Sequence, residues 1–342
     1  MYSFRNDYSE GAHPLVMEAL EKTNLEQTPG YGTDYYCAKA RDIIMKKCCM
    51  TEGDVHFLVG GTQVNLVSAC AFLNPFEAAI APCTGHPLVH ETGAFEATGH
   101  KVISVPSENG KLTPSDVRGV CEAHSTEHMV RPRMVYISDS TEIGTVYTAE
   151  ELTNLHSVCK AYGLILHLDG ARLGSGITSD EGAMTWPTLA ANLDAFTIGG
   201  TKNGALFGEA LVITNPELCA DFRYYMKQRG ALLAKGRLLG IQFSALLEDD
   251  LYLEIAKHAN VLANQMQDGI EKLGYDFMIK TPTNQIFPIF PNTVLTKLRQ
   301  SYDYEVQKKI DSERTCIRLV TSWATPEEII PRFLSDLGHI KA

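Results

Sequence analysis

Two polar residues that follow short apolar runs indicate what chemistry this chain could do. Asp169 ends the run 164–168, and Lys202 follows the run 195–198 with only small residues between. Both runs are typical of buried strands in a parallel sheet, which bring side chains and ligands together at their carboxyl ends. An amine and a carboxylate at that edge suit pyridoxal phosphate, because the amine can form a Schiff base and the carboxylate can keep the pyridine nitrogen protonated. A surface ion pair is the alternative interpretation.

The sequence around these two residues favours the cofactor over the ion pair. Lys202 lies in a turn of small residues, so little bulk shields its amine. The segments His167-Leu168-Asp169-Gly170-Ala171-Arg172 and Gly199-Gly200-Thr201-Lys202-Asn203-Gly204 together resemble the threonine aldolase family of fold-type I pyridoxal phosphate enzymes. The resemblance extends from Phe4 to about Trp323, nearly the whole chain.

The order of elements predicts the scaffold that must hold these residues. Strand and helix patterns alternate from Val55 to Lys202, which calls for a mainly parallel sheet with helices on both faces. The resemblance implies an α/β, fold-type I pyridoxal-phosphate-dependent transferase-like fold with a small C-terminal α+β domain. We expect an N-terminal segment (1–30) over the active site, a large cofactor-binding domain (31–245) and the small domain (246–342).

Composition excludes several classes of function. The 342 residues are 44% hydrophobic and carry a net charge of −11, so neither nucleic acid nor an anionic membrane is an expected partner. The first residues contain no apolar run, and no later run approaches the length of a membrane span. Nine cysteines without a CxxC pair suit a reducing compartment. We therefore expect a cytoplasmic protein.

One turn could bind the cofactor phosphate. Gly61 and Thr62 follow a strand pattern and open a helix pattern, and Thr62 is placed to cap that helix. Free amides at a helix N-terminus form an anion site, and the segment lacks the GxGxxG pattern of dinucleotide folds. The resemblance adds Thr201 to the cofactor contacts. It also implies that a basic residue, Lys235 or Arg237, reaches the phosphate across a dimer interface.

Arg318 is the candidate for the substrate carboxylate. It stands alone among apolar residues, where a guanidinium needs an anionic partner, although a structural salt bridge would serve equally. The resemblance implies that Arg172 shares this carboxylate and also contacts the cofactor. It further makes Asn6 a carboxylate contact and Tyr31 part of the active-site wall.

His86 is the candidate for the group over the cofactor ring. The resemblance implies that it stacks there, and an imidazole in that position could also take the proton of a substrate hydroxyl. Packing without acid–base duty is the alternative. His86 and His90 could share a metal on one helix face, but Pro87 lies between them and no third ligand is suitably spaced, so we predict no metal site.

These residues lead to one expected reaction. Lys202, His86 and Asp169 would catalyse aldol cleavage of a β-hydroxy-α-amino acid, L-threonine or L-allo-threonine, to glycine and acetaldehyde. The enzyme would be a carbon–carbon lyase, a homodimer or homotetramer with active sites at the dimer interface. The alternatives are β-elimination or transamination on the same scaffold, or a non-catalytic protein that keeps the fold.

Overall fold

A seven-stranded sheet organises the larger part of the molecule. The computed structural model describes residues 1–341. The strands are β1 (Tyr2–Ser3), β2 (Asp54–Leu58), β3 (Glu77–Pro82), β4 (Lys101–Val105), β5 (Arg131–Ser138), β6 (Ile165–Asp169), β7 (Ala195–Gly199), β8 (Glu209–Ile213), β9 (Asp276–Phe277), β10 (Gln285–Ile286), β11 (Pro288–Pro291), β12 (Tyr302–Asp303), β13 (Glu305–Lys309) and β14 (Arg314–Val320). Strands β2 to β8 form the large sheet in the order β2-β8-β7-β6-β5-β3-β4.

Helices cover both faces of this sheet. They are α1 (Pro14–Lys22), α2 (Tyr35–Lys47), α3 (Gly61–Phe72), α4 (His86–Val89), α5 (Pro114–Ala123), α6 (Ala149–Tyr162), α7 (Leu173–Ile177), α8 (Trp186–Asn192), α9 (Phe222–Gln228), α10 (Arg237–Leu247), α11 (Leu251–Lys272), α12 (Asn292–Leu298) and α13 (Ile329–Lys341). Alternate residues of β5 and β6 belong to two separate apolar clusters, one on each face. The strands are therefore buried on both sides, as their uninterrupted apolar runs predict.

The sheet is mainly parallel, as expected. Only β8 runs against its neighbours, pairing antiparallel with β2 and β7. The strands β3, β4, β5, β6 and β7 pair in parallel. The carboxyl ends of β6 and β7 therefore meet at one edge, which places Asp169 and the turn after Gly199 side by side.

Local sequence signals determine where α6, the helix that precedes β6, begins and ends. Thr148 accepts a hydrogen bond from the Glu151 amide, and the Glu151 side chain accepts one from the Thr148 amide, which completes a capping box. Gly163 ends the helix in the left-handed conformation that glycine favours. The Ser/Thr-x-x-Glu pattern in the sequence predicts this start correctly.

A second, smaller sheet follows the long helix α11. Strands β10, β14, β11 and β9 pair antiparallel in that order, and β13 joins the other edge of β14. Residues of α11, α12 and α13 pack on it in a separate apolar cluster. The C-terminal α+β unit predicted from the sequence is present, whereas the boundaries proposed at residues 30 and 245 stay a prediction.

The N-terminal residues are more deeply embedded than their polar composition suggests. Tyr2 and Ser3 pair with β12, and Phe4 is fully buried with its ring centroid 5.5 Å from that of Phe333. The polar composition of residues 3–14 gives no indication of this contact, because the pairing strand lies near residue 302. None of the helices within residues 1–341 has the length and hydrophobicity needed to cross a bilayer.

Candidate active site

Asp169 and Lys202 lie at the adjoining ends of β6 and β7. A Cβ on Gly170 would lie 1.9 Å from the carbonyl oxygen of Thr197, and one on Gly199 would lie 2.5 Å from that of Ala171. Side chains at these two positions would push the strand ends apart. The glycines of both motifs are therefore required by the close approach of the two chain segments.

Asp169 is buried and held by several donors. One carboxylate oxygen accepts hydrogen bonds from the Tyr136 hydroxyl and from Asn65 Nδ2, the latter at 3.2 Å, and the other accepts from the Ala171 amide at 2.9 Å. Burial alone would raise the pKa of Asp169, but His86, Tyr136 and Lys202 outweigh burial and hold the pKa below its ordinary value. The group is therefore a carboxylate at neutral pH.

The side-chain amine of Lys202 has a lowered pKa. Burial, and then the positive charge of Arg172, lower the pKa of Lys202, while Asp7, Asp169 and Glu209 oppose the shift. A lowered pKa increases the share of neutral amine, which is the nucleophilic form.

Glu209 is a buried acid beside Lys202 that sequence reasoning missed. It begins β8 opposite Gly199 and accepts a hydrogen bond from the Gly200 amide at 3.2 Å. Burial raises the pKa of Glu209 to about 8, although Lys202 opposes the rise. In the sequence, this acid looks like an ordinary strand-end residue.

Arg172 is held by an acid from the N-terminal segment. Its Nε and Nη2 donate to the two carboxylate oxygens of Asp7 at 2.7 and 3.0 Å, and Asn284 Nδ2 donates to the same carboxylate at 2.9 Å. Asp7 thus occupies the edge of the Arg172 guanidinium that is formed by Nε and Nη2. Asp7 and Asn284 were missed, since partners so distant along the chain leave no sequence signal.

The guanidinium group of Arg318 is only partly hydrogen-bonded. Its Nη2 lies 3.5 Å from the carbonyl oxygen of Arg5, and its buried Nε has no hydrogen-bond partner among the described residues. Burial and the neighbouring Arg172 lower the pKa of Arg318. Asn6 adjoins Asp7 in the chain, but its side-chain oxygen accepts hydrogen bonds from Tyr8 and Ser9 in a local turn.

His86 belongs to a hydrogen-bonded network that reaches Asp169. Its Nδ1 lies 2.7 Å from Glu91 Oε1, and that oxygen also accepts from Asn65 Nδ2 at 2.7 Å. The His86 amide donates to Glu142 at 2.9 Å. Asn65 therefore links the histidine and the strand-end acid, a link that no spacing in the sequence indicates.

The possibility of a metal ion arises at the same place. One ligand atom each from His86, Glu91 and Asp169 lie within 4.8 Å of one another, a grouping that the sequence analysis did not foresee. His90, which the sequence paired with His86, lies outside this group, although the two rings are 5.3 Å apart. Asn65 hydrogen bonds to Glu91 and Asp169, so the three residues already have partners within the protein.

The N-terminus of α3 is open, but it is not capped as predicted. Gly60 is the capping residue, and no side chain bonds to the free amides, so the expectation that Thr62 caps the helix is wrong. The capping position is two residues earlier than predicted, so the helix begins at Gly61 and Thr62 is part of its first turn. A Cβ on Gly60 or Gly61 would meet nothing within 4 Å. Across the sheet edge, the Thr201 hydroxyl accepts from the Gly208 amide at 3.0 Å.

Three predicted site residues lie together in another part of the chain. Arg223 donates to the Tyr31 carbonyl oxygen, and the Lys227 amine lies 4.4 Å above the Tyr31 ring. Arg237 donates to the carbonyl oxygens of Glu26 and Asn24, whereas Lys235 is exposed. Their described contacts do not include Lys202 or Asp169.

Comparisons with known proteins agree with this arrangement. The beta-eliminating lyase family matches residues 4–292. A low specificity L-threonine aldolase of Pseudomonas sp. is 33% identical over 98% of this chain and 97% of its own length. A solved threonine aldolase of Leishmania major superposes with a TM-score of 0.99 at 44% identity, over 100% of both chains.

A more distant structure shows the fold alone. An aspartate aminotransferase of Thermus thermophilus has a TM-score of 0.73 at 14% identity, over 99% of this chain and 91% of its own. The architecture is therefore the fold-type I, aminotransferase-like fold. Because both the family match and the Pseudomonas relative span most of the sequence, this chain belongs to the beta-eliminating lyase family, in its threonine aldolase group.

Proposed function

We propose that this protein is a pyridoxal-phosphate-dependent lyase that cleaves L-threonine or L-allo-threonine to glycine and acetaldehyde. The observation that carries the proposal is the joint position of Lys202 and Asp169 at adjoining strand ends, with Arg172 near enough to both Lys202 and Arg318 for its charge to lower the pKa of each. The threonine aldolases among its relatives make this reaction the best supported on the scaffold.

The residues present fit the cofactor. Lys202 offers an amine of lowered pKa for its attachment, and Asp169 offers a buried carboxylate for its ring nitrogen. The open amides of Gly61 and Thr62, with the Thr201 hydroxyl, suit its phosphate. When bound, pyridoxal 5′-phosphate supplies an acceptor for the electron pair that remains on Cα when the Cα–Cβ bond breaks.

The two arginines orient the amino acid. The unpartnered Nε of Arg318 and the remaining N–H groups of Arg172 can donate to one carboxylate between them, and Asn6 lies beside the Asp7 that holds Arg172. Two fixed guanidinium groups position a carboxylate better than flexible ammonium groups do. His86, held at Nδ1 by Glu91, has a ring nitrogen within 4.8 Å of an Asp169 carboxylate oxygen. It is suited to hold the cofactor ring in place.

The active unit is proposed to be a homodimer or homotetramer in which Tyr31 and either Lys235 or Arg237 serve the partner's site. The support is that these residues lie apart from Lys202 within one chain, next to exposed Leu25 and Tyr35. A cytoplasmic location is part of the same proposal, since all nine cysteines are free.

Aldehyde release tests the proposed reaction. The purified protein, loaded with pyridoxal 5′-phosphate, should release aldehyde from L-threonine, L-allo-threonine or phenylserine, and glycine should appear in equal amount. Borohydride should fix the cofactor covalently to the peptide that contains Lys202. Lys202→Ala should do neither, while His128→Phe, in an exposed loop, is the matched control. A wild-type protein that binds the cofactor at Lys202 but releases no aldehyde from any of these substrates would contradict the assignment.

A further inference from the structure

A second histidine lies next to the site without an assigned role. His90 caps the short helix α4, and its ring centroid lies 5.3 Å from that of His86, with the two planes tilted by 48°. Its side chain is exposed, and its backbone amide donates to the His86 carbonyl oxygen at 3.0 Å. The backbone of His90 is thus held in place, and its ring remains accessible.

The charged groups that face His90 come from four elements. They are Arg318 of β14, Arg172 before α7, Lys202 after β7, and His86 of its own helix. Partial burial lowers the pKa of His90, and these four groups lower it further. The ring is therefore neutral at neutral pH, and it has a lone pair available on one nitrogen.

His86 is placed differently. Glu91 engages its Nδ1, and the same carboxylate is tied through Asn65 to Asp169. The ring of His86 therefore belongs to the network that holds the strand-end acid. Of the two histidines, His90 is the one whose ring nitrogens have no hydrogen bond to the described residues.

We propose that His90 accepts the proton of the substrate's β-hydroxyl group. The inference rests on the proposed aldol cleavage and adds the group that receives the proton. Lys202 marks where the α-amino group is held, and Arg318 with Arg172 marks the carboxylate. The remaining substituent that carries the β-hydroxyl must extend elsewhere. The His90 ring lies 5.3 Å from that of His86, and it is near enough to these three cations for their charges to lower its pKa.

The step balances without any further reactant. The O–H bond breaks and its proton moves to a ring nitrogen of His90, while the O–H electron pair becomes the second bond of the aldehyde carbonyl. The Cα–Cβ bond breaks and its electron pair stays with the glycine fragment. A proton then returns to Cα, so a neutral base becomes an imidazolium and is regenerated once per turnover.

Replacing the ring nitrogens tests this role. His90→Phe keeps the ring volume, and it should lower kcat for threonine cleavage by about a hundredfold or more. The visible absorbance of the bound cofactor and the Kd for glycine, which has no β-hydroxyl, should stay within about twofold of wild type. His90→Gly should regain activity when free imidazole is added, because the position is open to solvent. His128→Phe is the control for loss of an exposed histidine.

The pH profile gives a readout that a structural role would not change. A base with a lowered pKa loses its neutral form only as the pH falls below the ordinary histidine value of 6.5, so the acid limb of kcat/KM should lie below that value. The limb should be missing in His90→Phe and present in His86→Phe. Near-normal cleavage by His90→Phe, or loss of the limb only in His86→Phe, would overturn the inference while leaving the reaction itself established. A wild-type protein that cleaves no substrate would instead remove the proposed function.

Discussion

A single buried ion pair holds Arg172, the arginine proposed to bind the substrate carboxylate, in place. Asp7 is almost fully buried and binds Arg172 through both oxygens. Without Asp7, the guanidinium would be free to adopt other rotamers, and a buried positive charge would lose its partner. Since Phe4 anchors the same segment in the smaller core, the ion pair also ties the N-terminal residues to the large sheet.

Asp7→Asn should therefore weaken both stability and carboxylate binding. Removing one partner of a buried pair costs about 3 kcal/mol or more, so the free energy of unfolding should fall by roughly that amount. The KM for threonine should rise more than kcat falls. The matched control is Glu18→Gln, which breaks the exposed Glu18–Lys22 pair and should change stability by less than about 1 kcal/mol. Equal stability of Asp7→Asn and Glu18→Gln in denaturant titrations would contradict this account.

The stabilising effect of Asp7 should depend on pH in a defined direction. Burial alone would raise the pKa of Asp7, but Arg172 and Lys202 hold it below the ordinary 3.8. A group whose pKa is depressed by folding stabilises the protein above its unfolded value and loses that contribution as the pH falls through the folded value. The stability difference between wild type and Asp7→Asn should thus be constant above about pH 5 and shrink below pH 3.8.

At the scale of elements, the uncapped N-terminus of α3 is the feature that bears on phosphate binding. Its first amides have no side-chain cap, and Gly60 and Gly61 have open space around them. In a helix start that served only stability, a Ser, Thr or Asp cap would be expected, as at α5 and α6. The free amides are therefore available to an anion.

Gly61→Val should reduce phosphate binding without harming the fold. A Cβ added at Gly61 meets nothing within 4 Å in the protein, but a valine side chain there would crowd a phosphate at the helix N-terminus. Loss of one hydrogen bond to a charged group costs about 1.5–3 kcal/mol, so the Kd for pyridoxal 5′-phosphate should rise by roughly ten- to a hundredfold. The affinity of the cofactor-free variant for inorganic phosphate should fall in parallel, as measured by titration. The control is Gly119→Val on α5, where an added Cβ also meets nothing within 4 Å, and it should leave both Kd values unchanged. An unchanged Kd in Gly61→Val would show that the phosphate does not bind at the N-terminus of α3.

The sequence predicts those elements whose signals are local. The strands ending at Asp169 and Val105 and the capping box at Thr148 all follow from runs, caps and turns within a few residues. The acids around the site cannot be predicted in this way. The partners of Asp7, Glu91 and Glu209 are distant along the chain or carry no local signal, and folding brings them together. Thr62 fails as a cap because Gly60, two residues earlier, takes the capping position and α3 begins at Gly61, although threonine is the better capping residue.

At the scale of the whole molecule, the described contacts of the two cations proposed to reach the cofactor phosphate do not include Lys202 or Thr201 of the same chain. Lys235 is exposed, and Arg237 is engaged with the backbone of residues 24 and 26. Exposed Leu15, Met17 and Leu25 lie on or just after α1, which packs against α10, the helix that begins at Arg237. A second copy of the chain would cover these apolar side chains and could bring a cation to the phosphate.

Mixing two inactive variants tests whether sites are shared between subunits. Lys202→Ala removes the attachment lysine, and the double variant Lys235→Ala with Arg237→Ala removes the cations proposed to act across the interface. If sites are shared, a hybrid dimer has one site with both defects and one site with neither. Co-expression in equal amounts should therefore restore about one quarter of wild-type aldehyde release, since half of the dimers are hybrids with one intact site each. Each of these two variants alone should stay inactive. Lys202→Ala mixed with Asp169→Ala, two changes from the same site, is the control because its hybrids have no intact site if neither residue crosses the interface. Activity in the mixture no higher than the sum of the separate variants would show that each chain builds its site alone.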